Sequence, residues 1–233
     1  MKKRLGLDGL VVCCVMNAAQ LRAYARKVPP DCDMLEVRLD AIGWNAEQWK
    51  TDCGRIQRQG MPVLLTIRLA KEGGHWVGPE SVRMQLFQEG YPFVSAVDVE
   101  ISARQAGQMM GTAHQAGRQV VGSFHDFEKT PSLAKLKQVE KRGRRLGADV
   151  VKMAFLMKRP EDEQTAAAML SSASGPISIQ GMGKRGLATR IPFARYGSCL
   201  VYGSLGRPAV SLQPTCRRLY RELHPPVRSC LNW

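Results

Sequence analysis

"QVVGSFHDFEKTPSLAKLKQVEKRGRRLGADVVKMAF", residues 119–155, contains two apolar runs separated by a helix-patterned stretch. "QVVGSFHDF" (119–127) and "DVVKMAF" (149–155) are short runs rich in Val and Phe with turn residues around them, which reads as strand. Between them, "SLAKLKQVEKRGRRLG" follows Pro131, opens on Ser132 and closes on Gly147. Those are the residue types that start and stop helices. A strand, a helix and a second strand in this span form the unit from which parallel α/β sheets are built.

The unit recurs in both directions. Six more strand candidates are "LVVCCVM" (10–16), "MLEVRLD" (34–40), "PVLLTIR" (62–68), "FVSAVDVE" (93–100), "PISIQGM" (176–182) and "CLVYGS" (199–204). Helical stretches lie between them. "NAAQLRAYARKV" starts at Asn17, a good N-cap, and "PEDEQTAAAML" starts at Pro160 with three acids in its first turn. Eight strands alternating with helices over residues 1–233 predict a single (β/α)8 barrel domain, an α/β fold. A doubly wound sheet is the alternative, and the lack of GxGxxG after the first strand weakens its dinucleotide-binding form.

Several strands carry charges near their C-terminal ends, where this fold gathers its chemistry. They are Glu36, Arg38 and Asp40 on the second strand, Arg68 on the third and Asp98 and Glu100 on the fourth. His125 and Asp126 follow on the fifth, Lys152 on the sixth, and Arg190 after the seventh. Alternation puts Glu36, Arg38 and Asp40 on one face. Isolated charges inside a barrel cost several kcal/mol each, so they must pair or act. A purely structural ion network is the competing explanation for that trio. Lys152 stands between Val151 and Met153. A buried amine beside other cations is expected to be neutral and nucleophilic, with carbonyls as its natural partners. A lysine snorkelling at a strand edge is the plainer alternative. The company of His125, Arg38, Arg68 and Arg190 favours an active site.

Bulk properties narrow the classes. The net charge is +14, with 44% apolar residues. Basic residues are scattered apart from "KRGRR" (141–145), and with 6% aromatics nothing interleaves with that cluster as a stacking platform. It is expected to be a solvated helix face, and no nucleic-acid partner is expected. The seven cysteines form no CxxC pair and read as reduced and buried in a cytoplasmic protein. Four scattered histidines without HExxH suggest no metal site. "MKKRLGLDGLVVCCVMNAA" has a basic start like a signal peptide, but Asp8 interrupts the run and a first strand is expected there. No run reaches transmembrane length, so no membrane partner is expected.

The ordered motifs "LEVRLD", "TIRLAKEGG", "VDVE", "SFHDF", "VVKMAF" and "GMGKRGLATR" give the chain a close resemblance to the type I 3-dehydroquinate dehydratases of the shikimate pathway. The resemblance runs from the first strand to about Gln213. It implies a barrel, usually a homodimer, without metal or organic cofactor, that converts the small molecule 3-dehydroquinate to 3-dehydroshikimate and water. It places the Schiff-base lysine at Lys152, the acid/base histidine at His125 and the acid that orients it at Glu72. It places substrate-binding groups at Glu36, Arg38, Arg68, Arg190 (the carboxylate grip) and Gln213. The family's Ser-Ala-Pro-Gly-Gln run corresponds to "AVSLQ" (209–213), where Ala209 replaces serine and Leu212 glycine. Cys14 stands where some members carry serine. His75, His114 and His224 are expected to be incidental surface residues, and the "AKEGGHWVG" loop (70–78) a mobile rim. Another imine-forming barrel such as a class I aldolase, a catalytically silent scaffold and a nucleic-acid binder are the competing functions.

Overall fold

The computed structural model describes residues 9–44, 48–205 and 213–224. The eight strands are β1 (Leu10–Val15), β2 (Met34–Arg38), β3 (Val63–Thr66), β4 (Ala96–Glu100), β5 (Gln119–Asp126), β6 (Val150–Leu156), β7 (Ile177–Met182) and β8 (Leu200–Gly203). Each from β2 to β7 pairs in parallel with its predecessor, and β8 pairs with β1. The order β7-β6-β5-β4-β3-β2-β1-β8 leaves one seam, between β7 and β8. Side chains help bridge it. Ser178 Oγ and Gln180 Nε2 donate to the Leu200 carbonyl at 3.0 and 2.6 Å, and Ser198 Oγ accepts from Ile179 N–H at 2.9 Å. A single bridge joins Ile177 to Ser198. The result is a (β/α)8 barrel.

Local chemistry explains the helices. Asn17 caps Ala18–Arg26 by accepting from Gln20 N–H at 2.9 Å. Ser132 caps Leu133–Leu146, and Gly147 ends it at φ +104°, in the left-handed region. That helix buries Leu136, Val139, Glu140 and Gly143, a single stripe at i, i+3, i+4 and i+7. Asp162 holds the start of Pro160–Ser171 by accepting from Lys158 and Arg159 N–H at 2.7 and 3.0 Å.

Strand alternation sorts the core into two shells. Outward residues such as Val11, Leu35, Leu65, Val97, Val151 and Ile179 pack against the helices. Inward residues Leu10, Val12, Met34, Leu64, Ala96, Val121, Val150, Leu200 and Tyr202 make a separate apolar cluster inside the barrel. Two residues further along each strand the inward positions turn polar, so the barrel is dry below and charged above.

Three expectations are corrected. The second strand ends at Arg38, and Leu39–Ile42 turns into a short helix, so Asp40 leaves the strand and folds back on Arg38. The fourth strand starts only at Ala96, because Tyr91–Phe93, with Pro92, forms a 3-10 turn. "KRGRR" is not simply solvated. Arg142 donates to the Ile101 carbonyl at 3.1 Å, and Arg144 donates to those of Asp149 and Pro176 at 3.0 and 2.5 Å. The start of the 70–78 loop forms a hydrogen-bonded turn. Ala70 N–H donates to Trp76 O and Trp76 N–H to Arg68 O, each at 3.0 Å. A Cβ on Gly74 would lie 2.0 Å from the Arg68 carbonyl oxygen, so only glycine fits there.

Candidate active site

The charged upper half of the barrel is assembled by register. Cys14 pairs with Glu36 across β1–β2, Thr66 with Asp98 across β3–β4, and Glu100 with Ser123 across β4–β5. Ser123 pairs in turn with Lys152 on β6, and His125 lies two residues above Ser123 on the same face. Glu36, Arg68, Asp98, Glu100 and Lys152 are all buried. They occupy one continuous ion chain.

Lys152 Nζ lies 3.1 Å from Asp98 Oδ2, 3.7 Å from Glu36 Oε1 and 4.1 Å from the centre of the Tyr202 ring. Its immediate neighbours are therefore two carboxylates and an aromatic face, not the cations that the sequence pattern suggested. Glu36 accepts from Thr66 Oγ1 at 2.9 Å and from the Cys14 thiol. Burial, followed by the charge of Glu36, pushes that thiol well above its usual range, which keeps it protonated and a donor.

His125 Nδ1 lies 2.9 Å from Glu72 Oε2. An ionised carboxylate accepts here, so the imidazole carries its proton on Nδ1 and presents a free lone pair at Nε2. Burial, then the nearby charges of Arg68 and Lys152, hold the imidazole well below its usual pKa, against the opposing pull of Asp98. It is a free base at neutral pH. Phe127 stacks parallel to it at 6.1 Å. Burial raises the Glu72 carboxyl above its ordinary range, while Ser102, which donates to its other oxygen, and Arg68 oppose the rise.

The arginines divide into two kinds. Arg68 pairs with Asp98 at 2.7 Å and Glu100 at 3.2 Å and donates to Ser123 Oγ at 2.6 Å. Glu100 is shared with Arg83, which reaches in from helix Glu80–Gly90 at 2.5 Å. Burial works against the Asp98 carboxylate, but Arg68 and Lys152 outweigh it and hold its pKa well below the usual range. Arg38 is also paired, forking onto Asp40 at 2.9 and 2.8 Å. Arg190 is different. It is 7% exposed, and its guanidinium donates to the carbonyls of Tyr202 at 2.6 Å and Gly181 at 3.4 Å. Among the described residues it has no carboxylate partner, and its Nε has no hydrogen-bond partner. Burial lowers its pKa to about 10. This guanidinium is a ready receptor for an anion. Gln213 also brings a buried Oε1 with no partner among the described residues. Ala209, Leu212 and the rest of the lid run before Gln213 lie outside the described residues.

Three incidental histidines prove to be paired. His75 donates its backbone N–H to Asp40 at 3.1 Å, with its ring 3.4 Å from the same carboxylate. His114 meets Asp149 at 3.0 Å and His224 meets Asp33 at 3.2 Å. Thr66, Ser102 and Ser123 were missed as members of the site, and Asp98 was noted as a strand-end charge but given no role in it. Asp98 could have been found from its inward parity on β4; the hydroxyls carry no such signal. The six described cysteines are free, and five of them are buried. Among the described residues no group of three His, Cys, Asp or Glu side chains is arranged for a metal ion, and no helix is long and apolar enough to cross a membrane. A cavity of about 1190 Å³ opens at the opposite, strand-start end of the barrel, lined by Leu10, Met34, Gln57 and Gln119. Neither Lys152 nor His125 lines it.

Residues 11–224 match the family model described as type I 3-dehydroquinase. The 3-dehydroquinate dehydratase of Methanosarcina barkeri is 32% identical over 204 residues, covering 83% of this chain and 84% of the relative. That of Thermodesulfovibrio yellowstonii is 31% identical over 195 residues, covering 83% and 85%. The type I 3-dehydroquinate dehydratase of Clostridium difficile superposes with a TM-score of 0.85 at 22% identity, over 96% of this chain and 97% of its own, a likeness of fold.

Proposed function

Because this chain belongs to the type I 3-dehydroquinase family, a family of hydro-lyases, we propose that it dehydrates 3-dehydroquinate to 3-dehydroshikimate through an imine on Lys152. One observation carries the reading. A buried amine lies at the barrel axis, one strand from a base-form histidine whose Nδ1 is engaged by Glu72.

The substrate carboxylate binds Arg190, the guanidinium that lacks a carboxylate partner among the described residues. Glu36, Arg38 and Gln213 receive hydroxyls, and Arg68 pairs with Asp98 and Glu100 beneath them. Lys152, held between Asp98 and Glu36, gives up a proton to water, and the free amine adds to the C3 carbonyl. Loss of water gives a protonated imine, which acidifies the C2–H bond. His125 Nε2 takes that proton and an enamine forms. The enamine electrons then expel the C1 hydroxyl, which leaves as water with the proton from His125. Hydrolysis of the conjugated imine releases the enone and restores Lys152. The imine supplies the electron sink, so the route calls for no metal or organic cofactor.

The reaction places the enzyme in the route to chorismate and the aromatic amino acids. A cytoplasmic setting fits the free, mostly buried thiols, and a homodimer is carried over from the family resemblance. The test is incubation with 3-dehydroquinate while following the ultraviolet absorbance of the conjugated enone. A rise expected with wild-type protein and absent with Lys152→Met supports the reading. No rise with wild type refutes it.

A further inference from the structure

We infer that Ser102, in the turn after β4, is a positioning residue that holds the Glu72 carboxylate in the orientation that engages His125 Nδ1. The inference rests on the reading above and deepens it. Glu72 sits on a 3-10 turn of three residues, Ala70–Glu72, which fixes its backbone but leaves its carboxylate free to rotate. Two hydrogen bonds define that carboxylate. Oε2 meets His125 Nδ1 at 2.9 Å, and Oε1 accepts from Ser102 Oγ. No other hydrogen bond to it is present among the described residues.

The serine is well anchored for this task. Its neighbours Ile101 and Ala103 are each 2% exposed, while Ser102 itself is at the surface. Ile101 N–H donates to Ser123 O at 2.8 Å and Ala103 N–H to Glu100 O at 3.0 Å. The backbone is thus clamped on both sides, and the hydroxyl reaches inward from a fixed point.

The consequence for His125 is a matter of proton placement. An ionised Glu72 accepts from Nδ1–H and leaves Nε2 as the base. A protonated Glu72 donates instead, which moves the ring proton to Nε2 and blanks the base. The groups facing Glu72 are His125 from β5, Arg68 after β3, Asp98 and Glu100 from β4, and Ser102. Burial and the two acids favour the protonated form, whereas Arg68 and the Ser102 bond oppose it. Arg68 is already engaged with Asp98, Glu100 and Ser123. Ser102 is the neutral donor dedicated to Glu72.

Ser102→Ala and Ser102→Thr test this. Ser102→Ala is expected to lower kcat about three- to thirtyfold, the range for losing a hydrogen bond to a charged group at a partly wetted position. KM should be nearly unchanged, and borohydride should still trap the Lys152 imine. The acid limb of the kcat–pH profile should move to higher pH, because Glu72 then takes its proton more readily. Ser102→Thr should restore both rate and profile, and in a Glu72→Gln background Ser102→Ala should add nothing. An unchanged rate and acid limb in Ser102→Ala would overturn the inference, as would an equal loss in the threonine variant. So would a loss of rate that tracks a lowered Tm. If wild-type protein fails to turn over 3-dehydroquinate, the parent reading falls. If wild type turns over and only the Ser102 variants are silent, this inference falls alone.

Discussion

Replacing Arg190 with methionine should improve the free fold while it disables the enzyme. The guanidinium is buried with no carboxylate partner among the described residues, and burial brings its pKa down to about 10. An arginine that releases its proton near 10 in the native state, against its usual 12.5, costs the fold about 3 kcal/mol at neutral pH. The sign follows from linkage. The unfolded chain holds that proton more tightly, so the penalty is fully present below pH 10 and eases only as pH rises through about 10. Methionine removes the penalty but strands the Tyr202 carbonyl, now satisfied at 2.6 Å, at a cost of about 1–3 kcal/mol. The net is a gain of about 1 kcal/mol, or about 2–4 °C in Tm for a chain of this size. Substrate binding moves the other way. Two charge-assisted hydrogen bonds to a carboxylate contribute about 3–5 kcal/mol, so kcat/KM should fall about 10²- to 10³-fold, mostly through KM. Thermal melts with and without 3-dehydroquinate, set beside steady-state enone absorbance, read both effects. A Tm lowered by several degrees would show that the charge was compensated after all. An unchanged KM would place the carboxylate elsewhere, near Arg38 or Arg68.

Borohydride added with substrate should leave one adduct, located by mass spectrometry on Lys152, and labelling of any other lysine would refute the nucleophile assignment. His125→Ala should still form the trapped imine but lose at least 10²-fold in turnover, the usual contribution of a positioned acid/base; normal turnover would make His125 structural. Gln213→Ala should lower kcat/KM more than Ala209→Ser raises it, because one neutral hydrogen bond is worth about 0.5–1.5 kcal/mol. A silent Gln213→Ala would detach this residue from substrate binding.

Much of this architecture was legible before any coordinates. Eight apolar runs at regular spacing became eight strands, because runs such as "DVVKMAF" carry their own period and bounds. The inward charges were legible for the same reason, since parity along a strand assigns a face. Parity cannot report what lies across the barrel. It placed Lys152 inside but not its bond to Asp98, which comes from a strand two positions away in the sheet. Nor did it reveal that Arg68 is held by two carboxylates while Arg190 has none among the described residues. Both are arginines beyond a strand end, and only tertiary packing distinguishes them. Hydroxyls such as Thr66 and Ser102 were invisible, because serine and threonine are common in strands and turns that bind nothing. The need for glycine at position 74 was equally hidden, because it comes from how near the chain passes to the Arg68 carbonyl.

The seam between β7 and β8 bears on how the chain assembles. Strands β2 to β7 each pair with the strand made just before, so the sheet can lengthen in the order of synthesis with short-range contacts. Only the last strand, β8, must find the first, and it does so across nearly the whole chain. Until that strand docks, the inner face of the growing sheet is an open trough. In a sheet that grew in that order, Glu36, Asp98 and Lys152 would keep their water until β8 closed the barrel. Arg68, Arg83 and Glu100 all precede β5 in the chain, so in that order the most expensive groups in the molecule would lose water last, with their partners waiting.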